Sequence, residues 1–161
     1  MKILLTRHGE TEENKQGILQ GWLPGHLSKE GRRQARLLAE HLQNVKIDFI
    51  YTSDLLRCVE TAKEIAKFHP NAKFIPEKLL RESFEDVWKR LRIFYKKITR
   101  KHQKDIILIV GHGGSMCLLQ GIILHKSLEE SLKLEKLKNT AVSEYSIDGK
   151  GNCKIVYQNN L

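Results

Sequence analysis

Two histidines carry the chemical signal of this chain. His8 follows the apolar run Lys2 to Thr6 in Arg7-His8-Gly9-Glu10-Thr11, and His112 follows Ile106 to Val110 in Gly111-His112-Gly113-Gly114-Ser115. Each run reads as a strand, so each histidine stands at a strand's C-terminal end beside small residues. In an open α/β sheet those ends converge on one crevice, where ligands bind. Two imidazoles and an arginine gathered there suit attack on a phosphate without a metal ion. Such a reaction needs a nucleophile in line with the departing oxygen and cations around the equatorial oxygens. His8 suits the first task, because a neutral imidazole nitrogen forms a phosphoramidate that hydrolyses readily. Its other nitrogen then needs a fixed acceptor, and a nearby backbone carbonyl suffices.

Arg7 and Arg57 suit the second task, since a planar guanidinium grips two phosphate oxygens and keeps its charge. Arg57 falls in the first turn of a helix that follows Tyr51-Thr52-Ser53-Asp54, again at a strand end. The bland alternative for it is an ion pair with Glu60 or Glu64. His112 opens a helix whose first glycines let the backbone approach a ligand, and free N–H groups at such a start favour an anion. A phosphate bound there helps to hold His112 protonated as a third cation. Other chemistries fit less well. No carboxylate cluster at metal-ligand spacing accompanies the histidines, so no metal or other cofactor is expected. Neither a G-x-S-x-G nucleophile elbow nor a Walker-type phosphate loop occurs.

Positioning these groups requires alternating strands and helices. After the first strand a polar, glycine-rich loop is expected from Gly9 to Leu27. A helix follows with Ser28 as N-cap and Ala35, Leu38, Ala39 and Leu42 on its apolar face. A strand over Ile47 to Tyr51 leads to a second helix that ends before Pro70-Asn71, and Ala72 to Ile75 forms a short strand. Phe84, Val87, Trp88, Leu91, Phe94, Tyr95 and Ile98 mark a third long helix. Ser115 to Leu124 reads as a buried helix and Ser127 to Lys138 as a surface one. Val142 to Ile147 and Lys154 to Tyr157 flank Asp148-Gly149-Lys150-Gly151, a hairpin signal. The pattern predicts an α/β protein with a mostly parallel sheet and an antiparallel edge strand.

The 161 residues fit one domain, 1–161, large enough for a substantial core. No apolar stretch approaches a membrane span, and Met1 to Leu5 reads as a strand rather than an export signal. Cys58, Cys117 and Cys153 lack C-x-x-C spacing, and an odd count without an export signal favours reduced thiols in a cytoplasmic protein. Cys117 reads as core filler. The net charge of +9, from 28 basic against 19 acidic residues, attracts anions. No nucleic-acid recognition element accompanies it, so neither nucleic acid nor membrane is an expected partner. Oligomeric state is not legible.

Leu5-Thr6-Arg7-His8-Gly9-Glu10-Thr11 with Asn14 resembles the opening signature of the histidine phosphatase superfamily, the phosphoglycerate mutase-like proteins. Tyr51 to Arg57, followed by Glu60-Thr61-Ala62, is similar to its second block, and Val110 to Gly114 to its third. Leu27-Ser28-Lys29-Glu30-Gly31 with Gln34-Ala35, and later Asn139-Thr140, also fit the family, so the likeness spans nearly the whole chain in order. It implies the three-layer α/β/α sandwich of that family. By resemblance His8 is the phosphorylated nucleophile, while Arg7, Arg57 and His112 form the phosphate pocket. Asn14 and Gly113 fall where the family makes further phosphate contacts, and Gln20-Gly21 where it places a small polar residue and a glycine.

Leu80-Arg81-Glu82 resembles the pair that supplies the family's proton donor, which makes Glu82 the candidate acid. The chain departs from the family here, because a long helical insertion is missing. Glu82 to Val87 equally resembles the segment that follows the insertion, so Glu82 is either an acid catalyst or the start of a helix. Without the insertion the phosphate site is expected to be shallow and open. The resemblance implies a metal-independent phosphatase acting on phosphorylated small metabolites through phospho-His8. Alternatives are a phosphatase of phosphohistidine in proteins, a mutase, and a catalytically weak module that binds a phosphorylated ligand.

Overall fold

The computed structural model describes residues 1–82 and 86–160. Six strands, β1 (Lys2–Arg7), β2 (Phe49–Thr52), β3 (Lys73–Pro76), β4 (Ile106–Gly111), β5 (Val142–Ile147) and β6 (Cys153–Asn160), form one sheet in the order β3-β2-β4-β1-β5-β6. Pairings among β3, β2, β4 and β1 are parallel, whereas β5 pairs antiparallel with both β1 and β6. The strand that runs against the rest is therefore β5, one place in from the edge.

Side chains alternate across a strand, and both faces of this sheet are covered, which is why the central strands read as unbroken apolar runs. Ile3, Leu5, Tyr51, Ile107 and Ile109 meet one layer of helices, α4 (Val87–Lys101) and α5 (Gly113–Ile123), through Leu91, Phe94, Ile98, Met116 and Leu119. Leu4, Ile50, Leu108 and Val110 meet the other layer, α2 (Lys29–Leu42) and α3 (Leu56–Ala66), through Leu38, Leu42, Ala62 and Ile65. The result is the expected three-layer sandwich. The chain leaves β1 for α2 on one face and leaves the neighbouring β4 for α5 on the other. The crevice between the C-terminal ends of β1 and β4 is thus a topological switch point. Among the described residues no helix is long and apolar enough to cross a membrane.

Several boundaries differ from expectation. The polar loop after β1 contains a short helix, α1 (Glu12–Lys15). Its Thr11 hydroxyl accepts from Asn14 N at 3.1 Å while Asn14 Oδ1 accepts from Thr11 N at 3.3 Å, so paired caps rather than apolar periodicity define it. β2 starts at Phe49, two residues later than expected, because Asp48 turns its carboxylate onto Ile106 N at 2.9 Å. The surface helix expected over Ser127 to Lys138 is only α6 (Leu128–Leu132). The chain beyond it is drawn onto the end of β1 instead: Thr140 N donates to Arg7 O at 3.0 Å. Phe84, expected on the third helix, lies outside the described residues, and that helix is α4 from Val87 onwards.

Candidate active site

His8 is the first residue past β1, its backbone N–H still donating to Gly111 O at 3.0 Å. Its Nδ1–H donates to the Gly9 carbonyl at 2.7 Å. This bond fixes the tautomer and leaves Nε2 with a lone pair and no partner among the described residues. Burial is the main force holding the ring's pKa down to about 3; Arg7 and Arg57 push the same way and the Gly9 carbonyl opposes them. His8 is therefore a neutral imidazole at physiological pH.

His112, just past β4, lies with its ring centre 5.3 Å from that of His8, the two planes inclined at 67°. The spacing follows from the β1–β4 ladder, in which Arg7 pairs with Gly111. His112 Nε2 pairs with the Ser53 hydroxyl at 2.9 Å. Burial, then His8, Arg57 and Arg7, hold its pKa well below the ordinary histidine value, so both imidazoles are neutral. The charge lies on the arginines instead.

Arg57, in the first turn of α3, is only 2 % exposed. It makes no ion pair with Glu60 or Glu64. Its Nη1 and Nη2 donate to the carbonyls of Leu23 at 2.7 Å and Gly21 at 2.9 Å, while buried Nε has no partner among the described residues. Glu60 is instead occupied with Leu27 N and His26. Arg7 donates from Nη1 to Leu137 O at a long 3.4 Å, and its Nε too is buried without a partner among the described residues. A buried donor left unpaired costs about 1–3 kcal/mol, so a site carrying two is built for an acceptor that arrives with the ligand.

Glu82 reaches across to the start of α5, where its Oε2 accepts from Ser115 N at 3.2 Å. A methyl group on Gly114 would stand 2.5 Å from Glu82 Oε1, so the carboxylate approaches only because residue 114 is glycine. The preceding Arg81 is locked to Asp54 by two 2.6 Å hydrogen bonds, which ties the Glu82 segment to the end of β2.

All nine residues singled out from the sequence, Arg7, His8, Asn14, Gln20, Gly21, Arg57, Glu82, His112 and Gly113, line a single cavity of about 220 Å³. Asn14 Oδ1 is shared with Thr11 N and, at 3.4 Å, Asn139 Nδ2. Gln20 donates from Nε2 to the Thr11 hydroxyl at 2.6 Å, and its buried Oε1 has no partner among the described residues. Gly114, read from the sequence as a helix-start glycine open to a ligand, lines it too, as do Ile18, Leu19 and Lys136, which the sequence did not mark. Asn139 supports the site from outside, donating to His8 O at 2.8 Å. Thr61 does likewise, its hydroxyl accepting from Gly9 N at 3.0 Å. Both belong to the motif blocks quoted above, whereas Lys136 stands in a lysine-rich stretch with no distinguishing signal. A larger groove of about 880 Å³, between α4 and the α5–α6 turn, contains none of the nine. Among the described residues no three His, Cys, Asp or Glu side chains are grouped to hold a metal ion.

Fold and site together define a class: doubly covered α/β proteins with paired histidines and paired arginines at the strand-end switch point. The family that matches by sequence is the histidine phosphatase superfamily (branch 1), over residues 3–83 and 68–161, and the chain belongs to it. A putative phosphoserine phosphatase 2 of Hydrogenobacter thermophilus is 29% identical over 201 positions, covering 99% of this chain and 96% of that protein. That alignment is longer than the 161 residues here, so the relative carries segments that this chain lacks. A probable phosphatase of Schizosaccharomyces pombe is 43% identical over 82 residues, 51% of this chain but only 39% of its own length. Among solved structures, a mycobacterial glucosyl-3-phosphoglycerate phosphatase superposes with a TM-score of 0.90 over 99% of both chains at 20% identity, a likeness of fold.

Proposed function

We propose that the protein is a metal-independent phosphatase that hydrolyses phosphomonoesters of small metabolites through a phosphohistidine at His8. The observation that carries this reading is the His8 ring: neutral, tautomer-fixed by Gly9, with Nε2 unengaged in a cavity it shares with Arg7, Arg57 and His112. The substrate's phosphoryl oxygens take up the free guanidinium donors and the N–H groups at the start of α5. His8 Nε2 attacks phosphorus as the ester bond breaks, and the departing oxygen takes a proton from Glu82. In the second step Glu82, now a carboxylate, removes a proton from water, which attacks phosphorus, releases inorganic phosphate and returns His8 to its neutral form. The bound dianion favours a protonated His112, offsetting the burial that otherwise keeps the ring neutral. Each preorganised cation is worth roughly 10²- to 10³-fold in rate.

The small cavity favours hydrolysis over mutase chemistry, which must keep its product enclosed between two half-reactions. The neighbouring relatives named as phosphatases support the same choice. The reading also takes the protein as cytoplasmic, in keeping with three unpaired thiols. Rapid quenching after mixing with labelled substrate tests the covalent step. An acid-labile, alkali-stable label is expected on the wild type and absent from His8→Ala, which also loses turnover of p-nitrophenyl phosphate. Unlabelled wild type with normal turnover refutes the two-step route.

A further inference from the structure

The turn from Gln20 to Leu23 touches two arginines at once. Leu23 N donates to Gln20 O at 2.9 Å, and Gly21, at a φ of 51°, turns the chain so that Trp22 stands at the tip. The carbonyls on either side of Trp22, those of Gly21 and Leu23, accept from Arg57. The Trp22 ring itself lies under Arg81, its centre 5.4 Å from the guanidinium carbon. We infer that Trp22 is a positioning residue: through Arg81, its ring sets where the Glu82 carboxyl stands over the start of α5. This rests on the reading of Glu82 as the acid of a phosphatase.

Asp54 takes one edge of the Arg81 guanidinium, its two oxygens accepting from Nε and Nη2 at 2.6 Å. Such a bidentate pair fixes distance but acts as a hinge, about which the cation can rock. A ring within roughly 6 Å attracts the cation from one side and removes that freedom. Rocking matters because Glu82 is the next residue. Its carboxyl is seated at the far end by Ser115 N at 3.2 Å and by the clearance over Gly114. The backbone that carries it is held from behind in two ways. Arg90 donates from Nη2 to Arg81 O at 3.1 Å, and the Arg81 side chain is gripped by Asp54 and Trp22.

Two features set the size of the effect. With Arg90 still in place, loss of the ring loosens the Glu82 segment without releasing it. Trp22 is 59 % exposed, so its attraction for the cation belongs at the lower end for such pairs. The turn's hold on Arg57 runs through main-chain carbonyls, so a side-chain change at Trp22 tests one duty apart from the other.

First-turnover rates on glycerol 3-phosphate, which needs the acid, and p-nitrophenyl phosphate, which does not, separate the two. In Trp22→Leu the alkyl rate should fall roughly 2- to 5-fold, with the aryl rate and the affinity for inorganic phosphate unchanged. Trp22→Tyr keeps a ring and should recover most of the loss. In a Glu82→Gln background Trp22→Leu should cost nothing further, since the acid it positions is already gone. The Ser115 amide proton gives a readout apart from turnover, because Glu82 Oε2 accepts from it. Its resonance should move upfield in Trp22→Leu, toward that of Glu82→Ala, and stay in place in Trp22→Tyr. Equal losses on both esters with weaker phosphate binding overturn the inference and leave Trp22 as a support for Arg57. An alkyl loss as large in Glu82→Gln as in wild type overturns it too, as does an unmoved Ser115 resonance. A Trp22-dependent Ser115 shift in a protein that turns over neither ester upholds the positioning and removes the phosphatase reading.

Discussion

Replacing Glu82 by Gln isolates the proton from the scaffold. Glutamine has the same shape, so it keeps the clearance over Gly114 and still offers an oxygen to Ser115 N, the 3.2 Å contact that seats the side chain. What it loses is the transferable proton. General acid–base catalysis is worth about 10²- to 10⁴-fold, or about 3–5 kcal/mol in the barrier. That loss should fall on an alkyl phosphate, whose alkoxide cannot depart unprotonated. A phenolate departs without help, so Glu82→Gln should still release p-nitrophenol in a burst of one equivalent. The second step, which needs the carboxylate as base, then becomes limiting and phospho-His8 accumulates. Stopped-flow absorbance with acid-labile label recovery reads both effects in one sample. Equal losses in the first-turnover rate of the two substrates would refute the assignment of Glu82 as acid.

Two other perturbations read the site through geometry and stability. Gly114→Ala places a methyl 2.5 Å from Glu82 Oε1 and must displace that carboxylate by a substantial fraction of an ångström. The alkyl phosphatase rate should fall by roughly 10- to 10²-fold with little change in melting temperature, as monitored by circular dichroism. The pKa of His8 is about 3 in the fold and near 6.5 in the unfolded chain, so the unfolded state takes up the proton first. Stability tied to His8 is therefore complete above about pH 6.5 and lost progressively down to about pH 3, on the order of 5 kcal/mol in all. Urea midpoints at pH 7 and pH 4 should differ less in His8→Gln than in wild type; identical differences would show that His8 is not the source.

Much of this was legible because it rests on local patterns. Ile3-Leu4-Leu5 and Ile107-Leu108-Ile109 read as strands since both faces of the sheet are covered, and each ends in its histidine. Ser28 announced α2 through its side chain, which caps Gly31 N at 2.9 Å. What escaped depends on distant partners. The four residues of α1 have no buried member, so no apolar rhythm marks them. Leu134 and Leu137 suggested a continuing helix, yet Leu137 is spent on the core and on Arg7, contacts some 130 residues away in sequence. Arg57 could be read locally as the partner of Glu60, one turn along α3. Only the folded loop reveals that two carbonyls hold it and that Glu60 is engaged elsewhere. Lys136 could not be distinguished among Lys133, Lys136 and Lys138 before the chain end was seen to fold against β1.

The ladder between β1 and β4 also bears on how such a short chain keeps a full set of reactive groups. His8 and His112 are spaced by rungs of main-chain hydrogen bonds, and Arg57 is rooted in the helix behind the next strand. None of the three stands in a segment that the longer relative carries and this chain lacks. On the phosphatase reading bond breaking belongs to this frame, so segments can be cut away or grafted on with these three residues undisturbed.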